Sequence, residues 1–109
     1  MTHDAQKIQA LNDAFRSTMT GGRMMMTAGV GALPQDVQAM VLQRVRTFSA
    51  FTEDNDPHHE HDFGSFELSG RKFFFKMDYY DRAMEFGSEN PADPAVTTRV
   101  LTVMLASEY

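Results

Sequence analysis

The chain contains no cysteine. That one absence excludes disulfide staples, thiol nucleophiles, thiolate zinc sites and cysteine-ligated iron–sulfur clusters, and it agrees with a reducing cytoplasm. No apolar run approaches the roughly 20 residues that a membrane span requires. The opening MTHDAQKIQAL lacks the basic-then-apolar pattern of a signal peptide, so a cytoplasmic location is expected. Basic residues are in deficit: 10 Lys and Arg stand against 15 Asp and Glu, a formal net charge of −5. Nucleic-acid binders need cations to displace counterions, so direct binding of DNA or RNA is not expected, and cationic partners or metal ions suit the balance better. No serine lies in a G-x-S-x-G context, which leaves no visible nucleophilic triad. Neither an internal repeat nor a low-complexity linker interrupts the 109 residues, so a single domain, 1–109, with one hydrophobic core is expected.

What is present reads as alternating helices and strands. Residues 4–19 form an amphipathic helix, with Ile8, Leu11, Phe15 and Met19 on one face and Gln6, Lys7, Asn12, Asp13 and Arg16 on the other. Thr2 or Asp4 caps its start and GG at 21–22 ends it. Met24 to Val30 is short, apolar and bounded by glycine, which suggests a strand buried on both faces, with Gly29 and Gly31 as turn glycines. Pro34 opens a second helix with the stripe Val37, Met40, Val41, Val45 and Phe48, and Arg44 and Arg46 complement its dipole. Residues 61–68 and 71–79 are two strands joined by SG at 69–70. Phe63 falls out of step with Phe66 and Leu68, which a bulge near Gly64 would restore. Met84 and Phe86 supply a third short strand. Asp93 and Pro94 then start a last helix that buries Val96, Val100, Val103 and Met104. The class is α+β: a small, mostly antiparallel sheet of three to four strands packed by three helices, in the order α-β-α-β-β-β-α.

The chemistry concentrates in FTEDNDPHHEHDFGSF, residues 51–66, where five carboxylates, three histidines and three phenylalanines share sixteen positions. Hard oxygen with imidazole suits Zn, Mn, Fe or Ni more than Ca. An EF-hand match fails, because His59 stands where the sixth-position glycine belongs and Ser65 where a bidentate Glu is needed. HHEH is not HExxH. The plain alternative is a solvated loop of Asx turns. Beside it, FKMDYYD sets Lys76, Asp78 and Tyr80 on one strand face. Counting from the 69–70 turn, an unbulged ladder pairs 61 with 78 and 63 with 76, so that His61 meets Asp78, a contact that fixes a tautomer. A bulged ladder instead opposes Glu60 to Asp78 and Asp62 to Lys76. Two close carboxylates there raise one pKa or recruit a cation.

The strings ALNDAFR, TAGVGALP, FTEDNDPHHEHDFGSFE, FFFKMDYYD and NPADPAVTTRVLTVMLASEY together resemble the bacterial family called domain of unknown function 3768, over nearly the whole chain. The resemblance implies a small bacterial cytoplasmic protein of plasmid or other mobile-element origin, without an established activity. The family's pattern carries glycine at position 59, which makes His59 a poor ligand. Two functions follow. The first is a non-catalytic interaction module that engages a protein partner with a basic surface through Asp54, Asn55, Asp56, His58, Glu60, His61, Asp62 and Tyr80, with homodimerisation through a sheet edge or the Met-rich strand. The second is a metal-assisted hydrolase or nuclease: His58, His61 and Asp62 would hold a divalent transition metal, Asp56 or Asp78 would act as base, and Lys76 would stabilise developing negative charge.

Overall fold

The computed structural model describes residues 3–109. Helix α1 (His3–Thr18) leads to strand β1 (Arg23–Met26), the one-turn helix α2 (Ala28–Gly31) and helix α3 (Gln35–Thr47). Strands β2 (Phe63–Leu68), β3 (Arg71–Tyr80) and β4 (Thr98–Leu105) follow, and a 3₁₀ turn, Ala106–Glu108, ends the chain. The sheet order is β1-β4-β3-β2, with β1 parallel to β4 and the other pairs antiparallel. The α+β class and the counts of three helices and four strands agree with the sequence pattern, although one helix and one strand are not the segments expected. Thr2, one of the two expected caps of α1, lies outside the described residues.

The core is one layer between helices and sheet. Phe15 from α1, Val30 from α2 and Val41 and Val45 from α3 meet Phe66, Phe73, Phe75, Met77, Leu101 and Val103. In β3 the buried residues alternate, so Phe73, Phe75 and Met77 face the helices while Lys72, Phe74, Lys76 and Asp78 face away. Phe48 stands edge-on to both Phe51 and Phe75, at 4.9 and 5.2 Å between ring centroids. Such pairs add about 0.5–1.5 kcal/mol each beyond their area. The opposite face of the sheet surrounds an open concavity of about 710 Å³ lined by Met25, Lys76, Asp78, Tyr80, Thr102 and Tyr109, among others.

Four expectations are corrected. The terminal segment is not a helix but β4, the strand that pairs with both β1 and β3. A central strand is apolar on both faces, here at Val100, Leu101, Val103 and Met104, and such a run imitates the three- and four-residue spacing of a helix stripe. Asp93 does accept from the Ala95 N–H, but in a turn that stops before Thr98. Met84 and Phe86 form no strand: Asp81 N–H donates to Phe86 O, closing a turn, and only an isolated bridge joins Tyr80 to Gly87. The Met-rich strand is a four-residue edge, with Met25 54% and Met26 37% exposed, and Gly29 and Gly31 belong to α2. Finally, Asn12 and Arg16 are buried rather than solvated. The Arg16 guanidinium donates to the carbonyls of Val45 and Phe48, each at 2.8 Å, and so closes the C-terminal end of α3.

The hairpin is unbulged. Leu68 pairs with Arg71 and Phe63 with Lys76 across a turn in which Ser69 and Gly70 both have positive φ, 53° and 77°, the geometry that matches strand twist. Gly64 serves a different purpose from a bulge. A Cβ there would lie 2.3 Å from the Phe75 ring and 2.9 Å from Phe48, so the strand needs glycine to let these rings approach its backbone. Gly64→Ala is therefore expected to destabilise the fold by about 1–3 kcal/mol, the usual cost of overpacking. Gly31→Ala, whose Cβ meets nothing within 4 Å, should be neutral or slightly stabilising. Urea denaturation of both variants checks this, and equal losses would refute the close-approach account.

Candidate functional site

The acidic loop begins where α3 ends, and its own side chains shape it. Asn55 accepts from the Thr52 N–H at 2.7 Å and donates to Ala50 O at 2.9 Å, while Asp56 N–H donates to Thr52 O at 2.8 Å. Thr52 Oγ1 accepts from the Asn55 N–H in return, at 3.3 Å, so the loop is held by a reciprocal pair like a capping box rather than by the Asx turns expected of it. His59 and His61 then take left-handed backbone angles, φ 59° and 55°. The conformation at 59 is the one in which glycine is at ease. At 61 it turns the chain away before β2 begins, so His61 never stands opposite Asp78.

His61 finds other carboxylates. Its Nδ1 lies 2.9 and 3.0 Å from the two oxygens of Asp13 on α1, and its Nε2 lies 3.7 Å from Asp56. Phe51 stacks on the imidazole, 3.8 Å between centroids and nearly parallel. Asp56, only 3% exposed, also accepts from the His61 N–H at 3.1 Å. A second network lies alongside. Tyr79 donates its hydroxyl to Glu60 at 2.9 Å and accepts from the Asn12 amide at 2.8 Å. Asn12 also donates to Glu60 O at 3.0 Å and accepts from Arg99 Nε at 2.9 Å, and Arg99 donates to Pro91 O as well. Burial first, then the Glu60 charge, pushes the Tyr79 phenol well above its ordinary range, and burial lowers the Arg99 guanidinium. Asp56, Glu60 and His61 are thus internal fasteners.

Sequence reasoning missed the other half of both networks: Asn12, Asp13, Arg16, Tyr79 and Arg99. One signal was available. Ile8, Asn12 and Arg16 are spaced by four, which continues the buried face of α1.

The remaining expected site residues face outward. Asn55, His58, Asp62, Lys76, Asp78 and Tyr109 line a cleft of about 430 Å³ between loop and sheet. Lys76 pairs with Asp78 at 3.2 Å. Lys76, Asp78 and Tyr109 also line the larger concavity, which Tyr80 joins. Asp54 is exposed on the loop. The three residues expected to hold a metal do not meet: His61 is directed at Asp13 and Asp56, while His58 and Asp62 line the cleft. Among the described residues no group of three or more His, Asp or Glu side chains is placed to hold a metal ion.

Compared with known families, the chain matches the one described as "Protein of unknown function (DUF3768)" over residues 26–108. The chain belongs to the DUF3768 family. No curated protein and no solved structure matches it significantly. The matched span of this DUF3768 chain takes in the whole acidic loop and strands β2, β3 and β4, but it begins after α1 and at the last residue of β1, so Asn12, Asp13 and Arg16 lie outside it. Among the described residues no helix is long and apolar enough to cross a membrane.

Two carboxyls carry opposite signs. Burial, then the charges of Asp56 and Asp78, raises the Asp62 carboxyl against the pull of a backbone hydrogen bond and His58. Glu108 is lowered, because it accepts from the Thr27 hydroxyl at 2.6 Å and from the N–H groups of Leu105 and Gly29, each at 2.9 Å. For Asp62 the folded state binds the proton more tightly than the unfolded state does, so its contribution is lost as pH rises through the folded pKa. Asp62→Asn should thus gain thermal stability over the parent at neutral pH, with the gap closing below the ordinary value of 3.8. For Glu108 the folded state releases the proton more readily, so stability is present above the ordinary value of 4.5 and is lost on acidification. Glu108→Gln should be less stable at neutral pH and converge on the parent in acid. Melting curves across pH check both, and a shared sign would refute the assignment.

Proposed function

We propose that the protein is a small, non-catalytic binding module of the bacterial cytoplasm, and that it engages a protein partner with a basic surface. The recognition surface is the cleft where His58, Asp62 and Asn55 overhang Lys76 and Asp78 of β3. One observation carries this reading: the loop is fixed to the fold through Asp56, Glu60 and His61, so its outward side chains are presented in a set geometry. Preorganisation of this kind removes ordering cost from the binding step. The exposed carboxylates of Glu53 and Asp54 add negative charge to the same loop and favour a cationic partner. The lack of cysteine supports a reducing location, and the accessory-genome origin rests on the family resemblance alone.

Metal-assisted hydrolysis is the second reading. It is favoured by a carboxyl with a raised pKa, Asp62, in a cleft with Asp78 and Lys76, a combination found at catalytic sites. It is disfavoured by the separation of His61 from His58 and Asp62.

A photo-cross-linking residue at position 58, with one at the exposed Gln6 as control, separates the two in cells that naturally carry the protein. The expected result is a discrete protein adduct at 58, absent at 6 and reduced by Asp62→Lys. No adduct at 58 would overturn the binding reading. A stoichiometric metal in the untagged protein by mass spectrometry, lost in His58→Ala/His61→Ala, would put hydrolysis in its place.

A further inference from the structure

The loop between β3 and β4 takes no part in the cleft, yet it is closely built. Asp81 accepts from the Glu85 N–H at 3.0 Å and donates its own N–H to Phe86 O at 2.8 Å, with Met84 left-handed at φ 60° between them. Ser88 N–H donates to Tyr79 O at 3.0 Å, and the Ser88 and Thr97 hydroxyls bond at 2.7 Å. Asn90 O accepts from Thr97, and Pro91 O from Arg99. The result of this fastening is an aromatic side chain turned outward: Phe86 is 71% exposed. Val96, 42% exposed, shares with it a groove of about 400 Å³ whose walls include Asp81, Arg82 and Glu89. Between residues 81 and 96 stand four carboxylates, Asp81, Glu85, Glu89 and Asp93, against the single cation Arg82. None of the four takes part in an ion pair among the described residues.

We infer that the groove of Phe86 and Val96 is a docking site for a basic segment of a protein partner, one that presents an apolar anchor flanked by lysine or arginine. This rests on the reading of the protein as a binding module but uses a different surface. A lone exposed apolar side chain is ordinary. Two that line one groove, on a loop ordered by its own hydrogen bonds and with Asp81, Glu89 and Arg82 in its walls, have the anatomy of a hot spot: an apolar centre with a charged, net acidic rim. Charge chooses the occupant. A second copy of this acidic chain would bring carboxylates to carboxylates, and an anionic membrane would be repelled in the same way, whereas a basic segment is drawn in and held in register.

The test is an NMR titration of isotope-labelled protein with a short amphipathic lysine–leucine peptide and with its glutamate–leucine counterpart. Saturable shifts are expected at Phe86, Gly87, Glu89 and Val96 with the lysine peptide alone. Phe86→Ser and Glu89→Lys, both at exposed positions that leave the core intact, should each weaken binding at least about tenfold, which is roughly 1.4 kcal/mol. Shifts confined to His58, Asp62 and Lys76 would overturn the inference while leaving the cleft as the binding surface. An equal response to the glutamate peptide, or no shift at all, would also overturn it. So would self-association without peptide that Phe86→Ser abolishes, since the groove would then belong to a second copy.

Discussion

The buried guanidinium of Arg16 is the joint on which the architecture turns. It is 5% exposed, lies 5.3 and 5.4 Å from the ring centroids of Phe51 and Phe75, donates to two carbonyls at the end of α3, and meets Asp13 at 3.0 Å. Burying a cation costs several kcal/mol even after relaxation. Three charge-assisted hydrogen bonds of roughly 1.5–3 kcal/mol each, with two aromatic faces beneath, offset that cost. Its Nε has no partner, so the donor set is not fully used. The two carbonyls belong to the end of α3, where the Val45 oxygen also accepts the Phe48 N–H at a long 3.5 Å. One side chain therefore ties α1 to α3 and sets both against the sheet.

From Arg16 the constraint passes to the acidic loop. Asp13 is shared: the oxygen that accepts from Arg16 also faces His61 Nδ1. Asn12, one residue earlier, reaches Glu60, Tyr79 and Arg99. Two adjacent residues of α1 thus hold the loop at 60 and 61, and the strands at 79 and 99. A stretch that reads as solvent-exposed acid and imidazole is consequently divided. Its middle is turned inward and satisfied, while His58 and Asp62 stay over β3. The division also explains the strain at positions 59 and 61, since left-handed turns on either side of Glu60 let that residue and His61 point to different networks.

The class, the hairpin with its turn residues and the apolar face of β3 were legible because each is a local pattern. Alternation over 71–79 and a Ser-Gly turn require no knowledge of distant residues. The last strand was not legible, because β4 is apolar on both faces owing to neighbours that are far away in sequence. Asp-Pro at 93–94 is a true turn signal, and only the element after it was misread. The candidate loop was found for the right chemical reason, a density of carboxylate and imidazole. Which of its residues face outward was not readable, because that depends on Asn12 and Asp13, 48 positions from their partners Glu60 and His61. Gly64 shows the same limit in miniature. A bulge and a close ring approach both call for glycine, and only the packing of Phe48 and Phe75 distinguishes them.

The loops 51–62 and 81–97 use polar residues in the same way. In each, side-chain contacts to the backbone hold the chain in place. The energetic sense of rigid loops lies in what they spare at association: the ordering entropy, about 1–2 kcal/mol for each residue fixed, is met during folding. Folding can bear it here because both loops are anchored to the buried network, at Glu60 in one case and through Arg99 and Pro91 in the other. The same Asn12 amide lies at the centre of both anchors. The two loops therefore share one buried contact, and Asn12→Ala is expected to speed amide hydrogen exchange in both, whereas an effect confined to one loop would show that the shared contact carries little.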